Sequence, residues 1–287
     1  MHVTDLHVQP VKSRRGVAVD HAAVEPQGLR DDRRWMVVGP DGVTLTAREH
    51  PPMLQVDAAP TPKGLLLTAT GGDSIQVTRP TTGPSVPVAM SRVGTARDAG
   101  EAVARWLTDT LGREVRLVWL DDPTRRPVSA KHGGRQGDVV SFADTGPVLL
   151  TARSSLRRLD RWIGERWSQD HAACGAAAGS RPEPLSMRRF RPNVVVDGDV
   201  EPFDEDGWAL VRIGEVTFRL TEGCDRCSMT LIDPVTGARG KEPLRTLAQH
   251  RRRDGVVWFG VRLAPVTAGT VRVGDDVEVL ERAVVAG

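Results

Sequence analysis

Short apolar runs separated by turn-forming residues dominate the first 95 positions: LHVQPV from Leu6, GVAVDHAAV from Gly16, RRWMVVG from Arg33 and VTLTAR from Val43. MLQVDAA from Met53, GLLLTAT from Gly64 and SIQVTR from Ser74 continue the pattern, with Gly or Pro between most runs. Runs this short, bounded by Gly and Pro, predict β-strands, and many of them in series predict a small barrel or sandwich. Pro40-Asp41-Gly42 predicts a hairpin turn, because Gly42 can take a positive φ without steric cost.

The periodicity then changes. Over 98–112, Val103, Trp106, Leu107 and Leu111 fall on one helical face, Asp98 and Glu101 have capping-box spacing, and Gly112 marks the end. After a strand-like VRLVWL at 115–120 comes a polar Pro/Gly/Arg stretch, 121–138, read as a linker or a loop over a site. A boundary there divides the chain into domains 1–120 and 121–287. The second part mixes the strand-like PVLLTA at 147–152, a helix at 154–167 carrying Leu156, Leu159, Ile163 and Trp167, and a loop at 170–184. The runs NVVVDG, ALVRIG, VTFRLTE, CSMTLID, VVWFGVRL, TVRVG and DVEVL follow, with a further helix at 242–252. The expected fold class is mainly β with some α, and no internal repeat of fixed period is present.

Charge narrows the functional classes. Lys and Arg number 39 against 37 Asp and Glu, so no chain-wide field points to nucleic acid or to a membrane surface. No stretch approaches the ~18 consecutive apolar residues of a membrane span, and residues 1–13 lack the pattern of a secretory signal. A cytoplasmic protein is expected. The basic run Arg251–Arg253 reads as a solvated face that could dock an acidic redox partner. His2, His7 and His21 lie along strands, and His250 near a helix end complements the dipole; none is assigned a role.

Three cysteines, Cys174, Cys224 and Cys227, form no disulfide framework in a chain this long, but Cys224 and Cys227 make a C-x-x-C within TEGCDRCSMT. Arg226 adjoins the second thiol, and a neighbouring guanidinium favours a thiolate. Two buried small residues are the commonest state of free cysteines. A redox pair normally opens a helix, which Gly223 and SMTLID do not support. Tetrahedral zinc would need Cys174 and His250 to arrive by folding. Spacing alone leaves these readings open.

The surrounding segments resemble a known family. QPVKS (9–13), GLRDDRRW (28–35), LTAR (45–48) with PPM (51–53), and DTGP (144–147) come first. RFRPNVVV (189–196), PFDED (202–206) with Trp208, CDRCSMTLIDPVTG (224–237), KEPL (241–244), Phe259-Gly260 and VGD (273–275) follow in the same order. Together they are similar to the MOSC domain preceded by its N-terminal β-barrel domain, as in the mitochondrial amidoxime reducing component and its bacterial relatives. The resemblance implies a β-barrel-like first domain, a β-rich MOSC domain with a few helices, and a molybdenum-molybdopterin cofactor between them.

By the same resemblance Cys227 is the metal ligand and catalytic centre. Lys12, Ser13, Arg33, Asp144, Thr145, Gly146, Arg191 and Asn193 would bind the cofactor. The chemistry agrees: Arg, Lys and a Gly-containing turn suit a phosphate, and Asn can both donate to and accept from a heterocycle. The DTGP segment has Gly146 where relatives can carry a hydroxyl residue, and the loop around Cys174 matches no family motif.

The implied function is reduction of small N-hydroxylated compounds at molybdenum. An alternative is a carrier or maturation protein that binds the cofactor or sulfur without turnover. Three cysteines cannot supply an internal iron-sulfur cluster beside a metal ligand, and no G-x-G-x-x-G offers a nicotinamide site. The electron donor is therefore expected to be an external ferredoxin-like protein or flavin reductase.

Overall fold

The computed structural model describes residues 1–90, 92–172 and 183–283; Cys174 and most of the loop expected at 170–184 lie outside them. Strands dominate, as expected. Among the described residues the largest sheet has nine strands, eight of them along one path: Val277–Arg282, Trp208–Ile213, Val216–Asp225, Val256–Pro265, Val148–Ala152, Val194–Asp197, His2–Val8 and Val17–Val19. Neighbours run antiparallel except Val148–Ala152 beside Val194–Asp197, which are parallel. A parallel pair needs a long crossover. The helix α2, Arg153–Ala172, begins it directly after the first of these strands.

The first 30 residues join this second-half framework. His2–Val8 pairs with Val194–Asp197, and His21–Glu25 pairs with Gly269–Arg272. Val3, Leu6 and Val8 therefore share a core with Leu150, Val194, Trp208, Phe218 and Leu263.

The remaining strands of the first half form two sheets. One runs in the order Trp35–Val38, Arg116–Trp119, Gly94–Asp98, Ser85–Val88, and the other is the meander Val56–Thr61, Gly64–Ala69, Ser74–Thr78. Trp35–Val38 is buried on both faces: Trp35 and Val37 enter one core with Leu54, Leu107 and Ile232, while Met36 and Val38 enter another with Leu120 and Phe142. Alternate side chains point to opposite faces, which explains an unbroken apolar run in a strand with protein on both sides. Among the described residues no helix is long and apolar enough to cross a membrane.

Several local expectations are corrected. The helix α1 spans Glu101–Leu111 with Gly100 at its N-cap, and no side chain caps it. Asp98 instead accepts from the Gly100 N–H at 2.8 Å and pairs with Arg116, so the capping box does not form. Gly112 does close the helix in the left-handed region. The run VTLTAR makes only an isolated bridge, Val38 to Thr44, because the chain turns at Thr46 to Glu49. The last helix, α3, is Leu244–His250, shorter than expected, because Arg252–Arg253 pairs with Val256–Val257 as a strand.

One buried acid ties the crossover to the rest. Glu205, in the turn Asp204–Gly207, is fully buried; its carboxylate accepts from Ser155 Oγ at 2.8 Å and from the Ala152 N–H at 3.4 Å. Burial pushes its pKa up to about 7, against the opposing effect of the Ser155 hydrogen bond. Folding thus raises this pKa, so the acid's contribution to stability is complete below its unfolded pKa and is lost as pH rises through about 7. Glu205→Gln, which mimics the protonated acid, should match the parent near pH 4 and exceed it by about 3 kcal/mol near pH 9. Urea denaturation across that range checks this, and a difference that does not change with pH would refute it.

Candidate functional site

The strand Val216–Asp225 carries Cys224, and the chain then turns so that Cys227 stands at the N-cap of the short 3-10 turn Ser228–Leu231. The segment CSMTLID is therefore a turn here. The turn separates the two thiols: Cys224 is 6% exposed, whereas Cys227 faces solvent. Arg226 adjoins Cys227 in sequence but turns its guanidinium to Cys224, donating to Sγ at 2.7 Å and also to the Phe190 carbonyl. Cys227 keeps its sulfur free of any side-chain partner among the described residues. A thiolate ligand needs that freedom.

Cys227 shares its cleft with residues from several other segments. Lys12 donates to the Phe142 carbonyl at 2.9 Å and pairs with Asp144. Asp144 hangs in the open mouth of the cleft, its side chain 78% accessible, so solvent screens part of its interaction with the cations. The surrounding protein opposes its ionisation, but Lys12, then Arg33 and Arg262, hold its carboxyl well below the usual carboxylate range. Desolvation lowers the pKa of Lys12, with Asp144 opposing. Burial, helped by Arg33, pushes Arg191 down to about 10, which leaves it charged at neutral pH.

Lys12, Ser13, Arg33, Asp144, Thr145, Gly146, Arg191 and Cys227 all line this one cleft. Three of them, Ser13, Arg33 and Arg191, have positive φ (64°, 48° and 57°), a conformation that costs a non-glycine residue energy and that clusters at functional sites. Gly146 fits for a steric reason. A Cβ there would stand 2.8 Å from Cβ of Arg262, so the glycine lets the DTG turn lie against that side chain.

Asn193 is the exception. It is fully buried and does not line the cleft. Its Oδ1 accepts from the Leu149 N–H at 3.0 Å and from Arg33 at 3.1 Å, and its Nδ2 donates to Asp32 Oδ1 at 2.9 Å and to the His7 carbonyl at 3.1 Å. These bonds leave it no capacity for a heterocycle. It holds the cleft from behind.

The cleft also contains Arg48, Arg189, Arg226 and Arg262, none of which is assigned a binding role from the sequence. Arg48 is the arginine of LTAR, so the motif itself was the available signal. Arg262 sits inside an apolar strand and pairs with Glu222 and Asp225, both at 2.6 Å, an arrangement that no local pattern announces. Among the described residues seven cations and two carboxylates line the cleft, and Arg48 has no polar partner. Thr145 Oγ1 and Arg226 Nε are buried without one. An anionic ligand with several acceptors would satisfy these groups.

Among the described residues no three His, Cys, Asp or Glu side chains gather as a metal site. His250 stacks on Trp162, with centroids 4.1 Å apart. The basic run is not a uniform solvated face: Arg251 lies over Phe203 and pairs with Asp206, which Arg253 also approaches at 3.3 Å.

Residues 1–114 match the MOSC N-terminal beta barrel domain family, and residues 137–278 match the MOSC domain family. The chain is 31% identical over 300 residues to mitochondrial amidoxime-reducing component 1 of Homo sapiens, covering 97% of this chain and 82% of that protein. It is 34% identical over 265 residues to the Danio rerio protein of the same name, covering 88% and 75%. Molybdenum cofactor sulfurase of Danio rerio is 31% identical over 277 residues, covering 93% of this chain but 32% of that protein.

Position decides what a substitution does here. Asn193→Ala, which strands the Leu149 N–H and Asp32 in a buried site, should lower unfolding free energy by about 2–4 kcal/mol. Arg48→Ala, at an exposed and unpaired side chain, should stay within about 0.5 kcal/mol of the parent. Urea denaturation of both variants measures this, and equal losses would contradict the assignment.

Proposed function

Because the chain belongs to the MOSC family that includes the mitochondrial amidoxime-reducing components, we propose that it is a molybdenum-cofactor-dependent reductase of N-hydroxylated compounds. The observation that carries this reading is the solvent-facing, unpartnered Cys227 in a cleft lined by seven cations. The donor set fits the cofactor: a thiolate for the metal, and guanidinium and ammonium groups for a phosphate.

Lys12, Arg33 and Arg191 would hold the phosphate-bearing end, with Ser13, Thr145 and the backbone at Gly146 adding donors. Cys227 would supply sulfur to the metal. When bound, the cofactor supplies a two-electron centre able to take oxygen from an N–OH group. The overall change consumes two electrons and two protons and yields the N–H compound and water. Asp144, held ionised by Lys12, keeps negative charge at the cleft mouth and does not serve as the proton source near neutral pH. Electrons would come from a separate ferredoxin-like or flavin-bearing protein.

Relatives named as cofactor sulfurases support a second reading, a carrier that holds the cofactor without turnover. Metal content and activity separate the two. Purified from a host that makes molybdenum cofactor, the parent should hold stoichiometric molybdenum and reduce an amidoxime with reduced viologen but not with NADPH alone. A fully loaded protein inert toward N–OH compounds would favour the carrier.

Cys227→Ser should lose both molybdenum and activity, while Cys224→Ser keeps part of each. Equal losses would sink the single-ligand assignment. Arg191→Ala should weaken cofactor retention by roughly ten- to a hundredfold, the effect of losing one charge-assisted hydrogen bond.

A further inference from the structure

Beside the cofactor cleft lies a second cavity, of about 300 Å³, that the proposed reaction does not use. Arg189, Arg191 and Met229 form a wall common to both. The remaining walls come from both halves of the chain. Leu54, Ala58 and Leu66 belong to the first half, and Ile232, Pro234 and Val235 follow the Cys227 turn.

The polar groups on this cavity are one-sided. Arg15 donates to the Val235 carbonyl at 2.9 Å and Arg188 to the Gly16 carbonyl at 3.2 Å, which places two guanidinium groups on neighbouring parts of the rim. Arg188 has no acidic partner among the described residues. Asp57, the one carboxylate lining the cavity among the described residues, stands 3.7 Å from Arg15 and is largely exposed, so it neutralises that charge weakly. Among the described residues, Nε of Arg15 and Nδ1 of His7 are buried without a hydrogen-bond partner, and both residues line the cavity.

We propose that this cavity binds a small amphiphilic anion, an alkyl or arylalkyl carboxylate, with its apolar body against Leu54, Ala58 and Ile232 and its carboxylate toward Arg15 and Arg188. The apolar walls disfavour a bare inorganic anion, which would leave them in contact with water. The guanidinium groups repel an alkylammonium ion. A neutral alcohol has no charge to offer them, whereas a carboxylate can accept from both. Burial lowers the pKa of His7, so its ring stays neutral near pH 7 and does not add to the positive charge.

Titration calorimetry of the purified full chain with hexanoate, octanoate and decanoate tests this. Affinity should rise roughly fourfold per added methylene until the cavity is filled. 1-Octanol should bind at least about tenfold more weakly than octanoate. The double variant Arg15→Ala/Arg188→Ala should lose about tenfold or more for octanoate while its weak affinity for octanol stays unchanged. Val17→Trp, which places bulk in the cavity, should abolish binding of both, with circular dichroism confirming that it folds. No binding of decanoate at about 1 mM, equal affinity for octanol and octanoate, or octanoate binding that survives both variants would overturn the proposal.

Discussion

The side chain of Asn193 is the joint on which the cleft depends. Its amide is bonded to the backbone of His7 and Leu149 and to the side chains of Asp32 and Arg33, so it links the first strand, the DDRR turn and the strand that leads into α2. Asp32 extends the joint by accepting from the Gln9 N–H at 2.8 Å. The carbonyl of Gln9 in turn accepts from the Arg33 N–H at 2.7 Å. Lys12 and Ser13 follow Gln9 closely in the chain. A buried and fully satisfied polar network of this kind rigidifies its surroundings, because each group left unpaired would bear its whole desolvation cost.

This rigidity lets the protein gather cations that repel one another. Lys12 and Arg191 both have lowered pKa values, chiefly from burial and in part from neighbouring guanidinium groups. An anion entering the cleft would relieve that repulsion and would stabilise the folded chain in proportion to its affinity. Positive φ at Arg33 and Arg191 sits beside this joint: Arg33 donates to Asn193 Oδ1 and to the Arg191 carbonyl, and strained backbone persists where its surroundings over-determine it. The wall between the cleft and the second cavity includes Arg191, so occupants of the two spaces would share that residue.

Much was legible in the chain before folding. Short apolar runs bounded by Gly and Pro placed the strands, and the helical spacing of Val103, Leu107 and Leu111 placed α1, because burial of one face imposes that helical period. Family words marked Cys227, Lys12, Ser13, Arg33, Thr145 and Arg191, and they do line one cleft. Such residues can be read from sequence because their chemistry resides in short segments.

Other features required the tertiary structure, since they depend on contacts between segments far apart in the chain. Sequence alone placed Asn193 at the cofactor; only packing shows that its bonds are all made to the protein. Adjacency assigned Arg226 to Cys227, whereas the turn after Asp225 delivers its guanidinium to Cys224. Arg262 enters the cleft from a position that no local pattern distinguishes from a structural charge. The sequence by itself therefore determined which residue types and periodic faces exist, because those are local properties. Folding decided which of the two thiols is free and which cations meet, because hydrogen bonds and burial depend on neighbours that only the assembled sheets supply.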